Sequence, residues 1–177
     1  MKRKLQRINF YILKYFISLL IYIDPRIYMK LYNMLLKKNG MNLKGTPRFI
    51  AKSVRFDDFD KITLGDRFVA SMNVHFLTHD FSYTTALISI DEKPKTDIGI
   101  LREIVVGDNV FIGMNSILLP GTKIGNNVII GAGSVLRGTI PDFSIVTGNP
   151  AKVTGDIREF AQKVKSRKEQ ELRIDTK

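Results

Sequence analysis

The sequence predicts an all-β core, a parallel β-helix wound from six-residue repeats, with a helical segment before it and one helix after it. Three observations predict this. From Val106 onward an aliphatic side chain recurs at every sixth position: Val106, Ile112, Leu118, Ile124, Ile130 and Leu136. The position after it holds Gly107, Gly113, Gly125 and Gly131, with Leu119 and Arg137 as the exceptions. The fifth position of each unit (Val110, Ser116, Thr122, Val128, Ser134 and Ile140) is small or β-branched throughout. A period of six is neither helical nor plain strand alternation, and it marks a solenoid. Each hexapeptide forms one flat side of a narrow prism and sends its aliphatic to the axis. Burial of each such side chain contributes roughly 1.5–3 kcal/mol, and only stacked repeats complete the column. Glycine beside it suits the corner, where a Cβ is costly.

The elements follow in chain order. Residues 1–40 read as a basic amphipathic helical segment. Lys2, Arg3, Lys4 and Arg7 precede Ile8–Ile23, which is apolar apart from Asn9, Lys14 and Ser18. Asp24-Pro25 ends that helix and starts another, with Asp24 as N-cap and Pro25 in the first turn. The second helix, near 26–38, is expected to use Ile27, Leu31, Met34 and Leu35 as one face and to stop at Asn39-Gly40. The β-helix domain is placed at 41–154. Its early coils are weaker in pattern: Leu64, Ala70 and Phe76 keep the six-residue spacing, and Ile50 and Val54 hint at a further coil before Asp57-Asp58-Phe59-Asp60. The pattern fails over about 80–103, a polar excursion from the prism, and long loops on rigid scaffolds commonly build sites. Residues 155–177 read as a C-terminal helix with Ile157, Phe160, Ala161 and Val164 on one face.

The formal net charge of +11 resides almost wholly in residues 1–48, where eleven basic residues face a single acid. The body of the chain is close to neutral, which argues against nucleic acid as a partner. In the first helix the longest uncharged run, Tyr15–Ile23, is far short of the roughly 20 residues a membrane span needs. Asp24-Pro25-Arg26 is not a secretory cleavage site. An interfacial helix on an anionic membrane surface, through residues 1–24, and a helix packed on the domain both remain open.

Chemistry is confined by what is absent. There are no cysteines and only two histidines, His75 and His79. His79 lies where a repeat ends and the excursion begins, and neutral imidazole is suited to taking a proton from an alcohol or amine. His75 occupies a non-core position inside the repeat. The two do not make a metal pair, because their spacing does not place both rings on one ion in a β-helix. No metal is expected.

The stretch Ile104–Ile140, followed by Pro141 and by the closing Gly148-Asn149-Pro150-Ala151-Lys152-Val153, resembles the hexapeptide-repeat acyltransferases. Within them it is similar to the maltose, galactoside and nodulation acetyltransferase branch and its polysaccharide O-acetyltransferase relatives. The likeness spans roughly residues 49–155. It implies a left-handed β-helix, a homotrimer, and acetyl-CoA as co-substrate held in grooves between subunits. It implies that His79 is the general base. The acceptor side is assigned to Phe111, which stands where relatives often carry Trp, together with Asn73 and Asp80. The donor side is assigned to Gly113, Ala132 and Gly133 along the thioester arm, with Lys152 and Arg137 near the phosphates. Arg137-Gly138 replaces a Thr-Lys pair common in relatives.

The function so implied is acetyl-CoA-dependent O-acetylation of a sugar hydroxyl, on a surface polysaccharide or a lipid-linked glycan precursor. The expected location is cytoplasmic, peripheral on the inner face of the cell membrane. Two other readings stand beside it: a soluble acetyltransferase for serine, a free sugar or an amino sugar, and a non-catalytic β-helix scaffold.

Overall fold

The computed structural model of the chain describes residues 2–174, and the side chains of residues 7–168. Its centre is a left-handed parallel β-helix with three flat faces. The first face stacks Asn42–Leu43, Ile62–Leu64, Ile104–Val106, Lys123–Ile124 and Thr139–Ile140. The second stacks Phe49–Ile50, Val69–Ala70, Val110–Ile112, Val128–Ile130 and Ser144–Thr147, and Lys152–Asp156 returns antiparallel at its top. The third stacks Arg55–Phe56, His75–Phe76, Ile117–Leu118 and Val135–Leu136.

Register carries the period into space. Val106 pairs with Ile124, Ile112 with Ile130 and Leu118 with Leu136, so the aliphatic of each side rests on its equivalent one coil away. All six members of the column from Val106 to Leu136 are buried. The polar fifth-position residues are buried too, and each spends its hydroxyl locally. Ser116 and Ser134 donate to the Gly131 carbonyl, and Thr122 donates to the Leu119 carbonyl at 2.7 Å. A hydroxyl satisfied in this way costs little to bury. The last coil is tighter, since Ile124 pairs with Ile140 and Ile130 with Val146. The corner Arg137-Gly138 is thus shorter than the corner beneath it.

The edge between the first and second faces is held by a side-chain ladder. Asp66, Asp108, Asn126 and Asp142 lie one above another. The backbone N–H of Asp66 donates to Asp108 (2.7 Å), that of Asp108 to Asn126 (2.8 Å) and that of Asn126 to Asp142 (2.8 Å). A Cβ on Gly107 would stand 2.7 Å from the Gly125 carbonyl oxygen, so glycine there is required by the approach of the next coil.

Helix α1 (Lys2–Leu19) continues through a short 3-10 turn (Leu20–Tyr22), and helix α2 (Pro25–Lys38) follows, its N-terminus capped by the Asp24 carboxylate on Arg26 N–H at 2.7 Å. The buried face of α2 is Tyr28, Met29, Tyr32, Leu35 and Leu36, whereas Ile27 and Met34 are exposed. The expected face was rotated because the tyrosines cover more area than the aliphatics do, and Tyr28 also reaches an acceptor, the Ile50 carbonyl at 2.7 Å. Helix α1 docks through Phe10, with Ile17 and Ile21 partly buried, so it does pack on the domain. Its opposite stripe (Ile8, Ile12, Phe16, Leu19 and Ile23) is exposed. Among the described residues no helix is long and apolar enough to cross a membrane.

The excursion contains helix α3 (Ser82–Ile88) and is pinned at its base where His79–Asp80 pairs antiparallel with Ile100–Leu101. After the strand Lys152–Asp156, helix α4 (Ile157–Ile174) projects with Phe160 and Val164 exposed, so its expected apolar face has no partner within the chain's described residues.

Beneath α1, the Lys14 ammonium donates to the Val54 carbonyl at 2.9 Å. Burial, and after it the positive charge of Arg55, lowers its pKa from 10.5 to about 8. Between those values the unfolded chain holds a proton that the folded chain has released, so stability rises with pH across that window. Relative to Lys14→Met, the wild-type protein should gain about 2 kcal/mol between about pH 8 and about pH 9.5, read from urea unfolding midpoints. A difference independent of pH would show that Lys14 is not desolvated in the folded protein.

Candidate active site

His79 leaves the prism at the edge between the third and first faces, and its position follows from two neighbours on the coil below. Arg55-Phe56 pairs with His75-Phe76, and Asp57-Asp58, which follow directly, lie under Thr78-His79. His79 Nδ1 is 3.3 Å from Asp58 Oδ2 and 3.6 Å from Asp57 Oδ2. A carboxylate only accepts, so Nδ1 carries the hydrogen and Nε2 keeps its lone pair. The ring is 39% exposed, packs 5.4 Å from the Phe81 ring centroid, and therefore offers Nε2 to an incoming molecule from a fixed orientation.

Thr78 is fully buried and completes the arrangement. Its hydroxyl donates to Asp58 Oδ2 at 2.7 Å, and its N–H donates to Asp57 Oδ2 at 3.3 Å. Partial burial pushes the Asp58 carboxyl up, but the hydrogen bonds from Thr78 and His79, with the charges of His79 and Arg7, outweigh it and hold the group below the usual carboxylate range. Asp58 is thus ionised wherever His79 could act as a base.

The other residues singled out from the sequence divide among two edges and one face. Asp80 and Arg137 share His79's edge and line one small cavity with Arg102 and Tyr83. Asp80 also accepts the N–H of Ser82 at 2.9 Å, which starts α3 and, with the Arg137 charge, keeps its carboxyl low. Gly113, Ala132, Gly133 and Lys152 lie along the edge between the second and third faces, with Asn73 lower on that edge. At Gly133, φ is +70° and a Cβ would meet nothing within 4 Å, so the space beside it is open. Phe111 is 42% exposed in the middle of the second face, opposite His79's edge. One chain therefore does not gather the whole set. His75 points outward in the ladder Arg55, His75, Ile117, Val135; its backbone N–H donates to the Ser116 carbonyl, and its ring has no hydrogen-bond partner among the described residues.

Sequence reasoning missed Asp57, Asp58 and Thr78 as partners of the histidine. The signal was present: an acidic pair lies about one coil, 21 residues from Asp58 to His79, before the only histidine at an exit from the repeat. Among the described residues no group of three side chains could hold a metal ion.

Residues 103–138 match the family model described as bacterial transferase hexapeptide (six repeats). Protein CapG of Staphylococcus aureus is 36% identical over 131 residues, 73% of this chain and 73% of its own length. The putative lipopolysaccharide biosynthesis O-acetyl transferase WbbJ of Escherichia coli K12 is 31% identical over 114 residues, and the putative acetyltransferase YvoF of Bacillus subtilis is 27% identical over 106. The matched segment spans only 58% and 54% of the lengths of those two. Among solved structures, a maltose O-acetyltransferase from Clostridium difficile superimposes with a TM-score of 0.57 at 24% identity, covering 81% of this chain and 83% of that one. A galactoside acetyltransferase in complex with coenzyme A gives 0.56 at 19% identity, covering 86% and 80%. These structural likenesses bear on the fold. Taken with the repeat register and the extent of the match to CapG, they show that the chain belongs to the bacterial hexapeptide-repeat transferase family.

Proposed function

We propose that this chain is an acetyl-CoA-dependent O-acetyltransferase for a sugar hydroxyl, with His79 as general base. The observation that carries the reading is a solvent-accessible imidazole whose Nδ1 is committed to Asp58 and whose Nε2 is free. Nε2 takes the proton of the acceptor hydroxyl as its oxygen bonds to the thioester carbonyl carbon. The C–S bond then breaks, and the sulfur leaves with the proton that His79 returns. The name of the WbbJ relative supports a cell-surface glycan as acceptor. Replacing His79 by Ala should lower kcat by about 10²–10⁴-fold, and Asp58→Asn, which leaves the ring but frees its tautomer, should lower it less. Thiol release from acetyl-CoA in the presence of glycan acceptors reads both. Near wild-type turnover in His79→Ala would remove the general-base role.

The division of the site residues supports a homotrimer in which the donor edge and Phe111 of one subunit face the His79 edge of the next. The outward ladder on the second face is apolar where the chain leaves it uncovered, at the exposed Phe111 and the half-buried Ile129 and Ile145, as is expected of a surface covered by another copy. The exposed Phe160 and Val164 of α4 add to it. Light scattering of the wild-type protein should give the mass of three chains, and Ile129→Glu should reduce it to one. A monomeric wild type that retains activity would refute the shared site.

The exposed stripe of α1, together with the basic excess of residues 1–48, supports peripheral contact with an anionic membrane surface. The full chain should sediment with phosphatidylglycerol vesicles, and Phe16→Asp with Ile12→Asp should leave it in the supernatant. Equal sedimentation of both proteins would assign that stripe another role.

A further inference from the structure

A second cavity lies away from His79. It holds about 480 Å³ between α1 and the lower coils of the third face. Three cationic side chains line it: Lys14 from α1, and Lys52 and Arg55 from the coil below. Tyr11, Tyr15 and Asn73 complete its polar wall, and no carboxylate lines it. None of the three cations forms an ion pair among the described residues, although the chain carries seventeen acids. Two are held in place by neutral groups: Lys14 by the Val54 carbonyl, and Lys52 by the Tyr22 hydroxyl at 2.8 Å with the ring beneath it. Positive charges that share one cavity repel one another unless something negative joins them; the pKa of Lys14 is lowered by its burial and then by the Arg55 charge.

We infer that this cavity binds the phosphate group of a phosphorylated sugar, the Arg55 fork and the two ammonium groups taking the phosphate and the tyrosines lying against the sugar ring. The inference rests on the proposed glycan acetylation and names the class of acceptor. The volume is larger than phosphate alone requires and lies within the range of small-molecule sites. Guanidinium recognises phosphate through paired N–H donors, while aromatic rings suit the apolar faces of a sugar. The cavity is also joined to the chemistry by backbone. Arg55 and Phe56 line it, and the next two residues, Asp57 and Asp58, hold His79. The α1 side of the cavity carries the exposed apolar stripe on its outer surface, so a phosphate linked to a lipid and a phosphate on a soluble sugar are both sources of the same chemistry.

Calorimetric titration of the full chain with glucose 1-phosphate, a short-chain prenyl diphosphate and unmodified glucose tests this. The phosphorylated probes should bind saturably, one per chain, and glucose should not. Because Lys52 and Arg55 are exposed, Lys52→Gln and Arg55→Gln should fold, which their unfolding midpoints will verify. Each should weaken phosphate binding by about tenfold or more, and the double variant further. Tighter binding of the prenyl diphosphate identifies the lipid-linked source, and tighter binding of glucose 1-phosphate the soluble one. Absence of binding, or affinity unchanged in the double variant, overturns the inference. Transfer to neutral glycans that still depends on His79 would then leave the acetyltransferase reading intact. Phosphate binding without any acetyl transfer would preserve the cavity and sink that reading instead.

Discussion

Each coil of this protein must repeat the backbone path of the coil beneath it, and nearly everything else depends on that constraint. The aliphatic column makes the repetition favourable, because a side chain on the axis is dry only when it is covered above and below. The Asp66–Asp108–Asn126–Asp142 ladder makes it specific, by giving one corner N–H of each coil an acceptor supplied by the next. Side chains that leave the prism at its edges inherit positions set to within the tolerance of that stack.

The histidine arrangement depends on the register of the third face. Arg55-Phe56 pairs with His75-Phe76, so the acidic pair that follows Phe56 lies under the point where the chain exits. The same exit is closed by the His79–Asp80 pairing with Ile100–Leu101, so the imidazole sits on a two-stranded base that is itself anchored to the prism. The rigid solenoid is interrupted there, and the interruption is where the histidine and its two carboxylates gather.

The repeat itself was legible in the sequence because six residues is a period nothing else produces, and residues Val106 to Leu136 display it without a break. The candidate base was legible as well, since only two histidines exist and His75 lies in register. The partners of His79 were less visible. Reading Asp57-Asp58 as a mere interruption overlooked that an interruption one coil upstream lands beneath the next exit. The buried face of α2 departs from its aliphatic spacing for a different reason: it is set by Tyr28 and Tyr32, whose side chains are the largest of the fully buried ones. The cationic cavity had no linear signature at all, because Lys14 is forty-one residues from Arg55 and only the docking of α1 joins them.

The pinned base of the excursion has a consequence for how such a protein can change over time. Since both ends of residues 80–103 are fastened by the short antiparallel pair, whatever lies between can lengthen, shorten or change composition without disturbing a coil. The scaffold and the histidine are under one set of constraints and the loop under another. A lineage built on this prism can therefore vary a single cassette, while the coils and the histidine with its two carboxylates are carried forward unaltered.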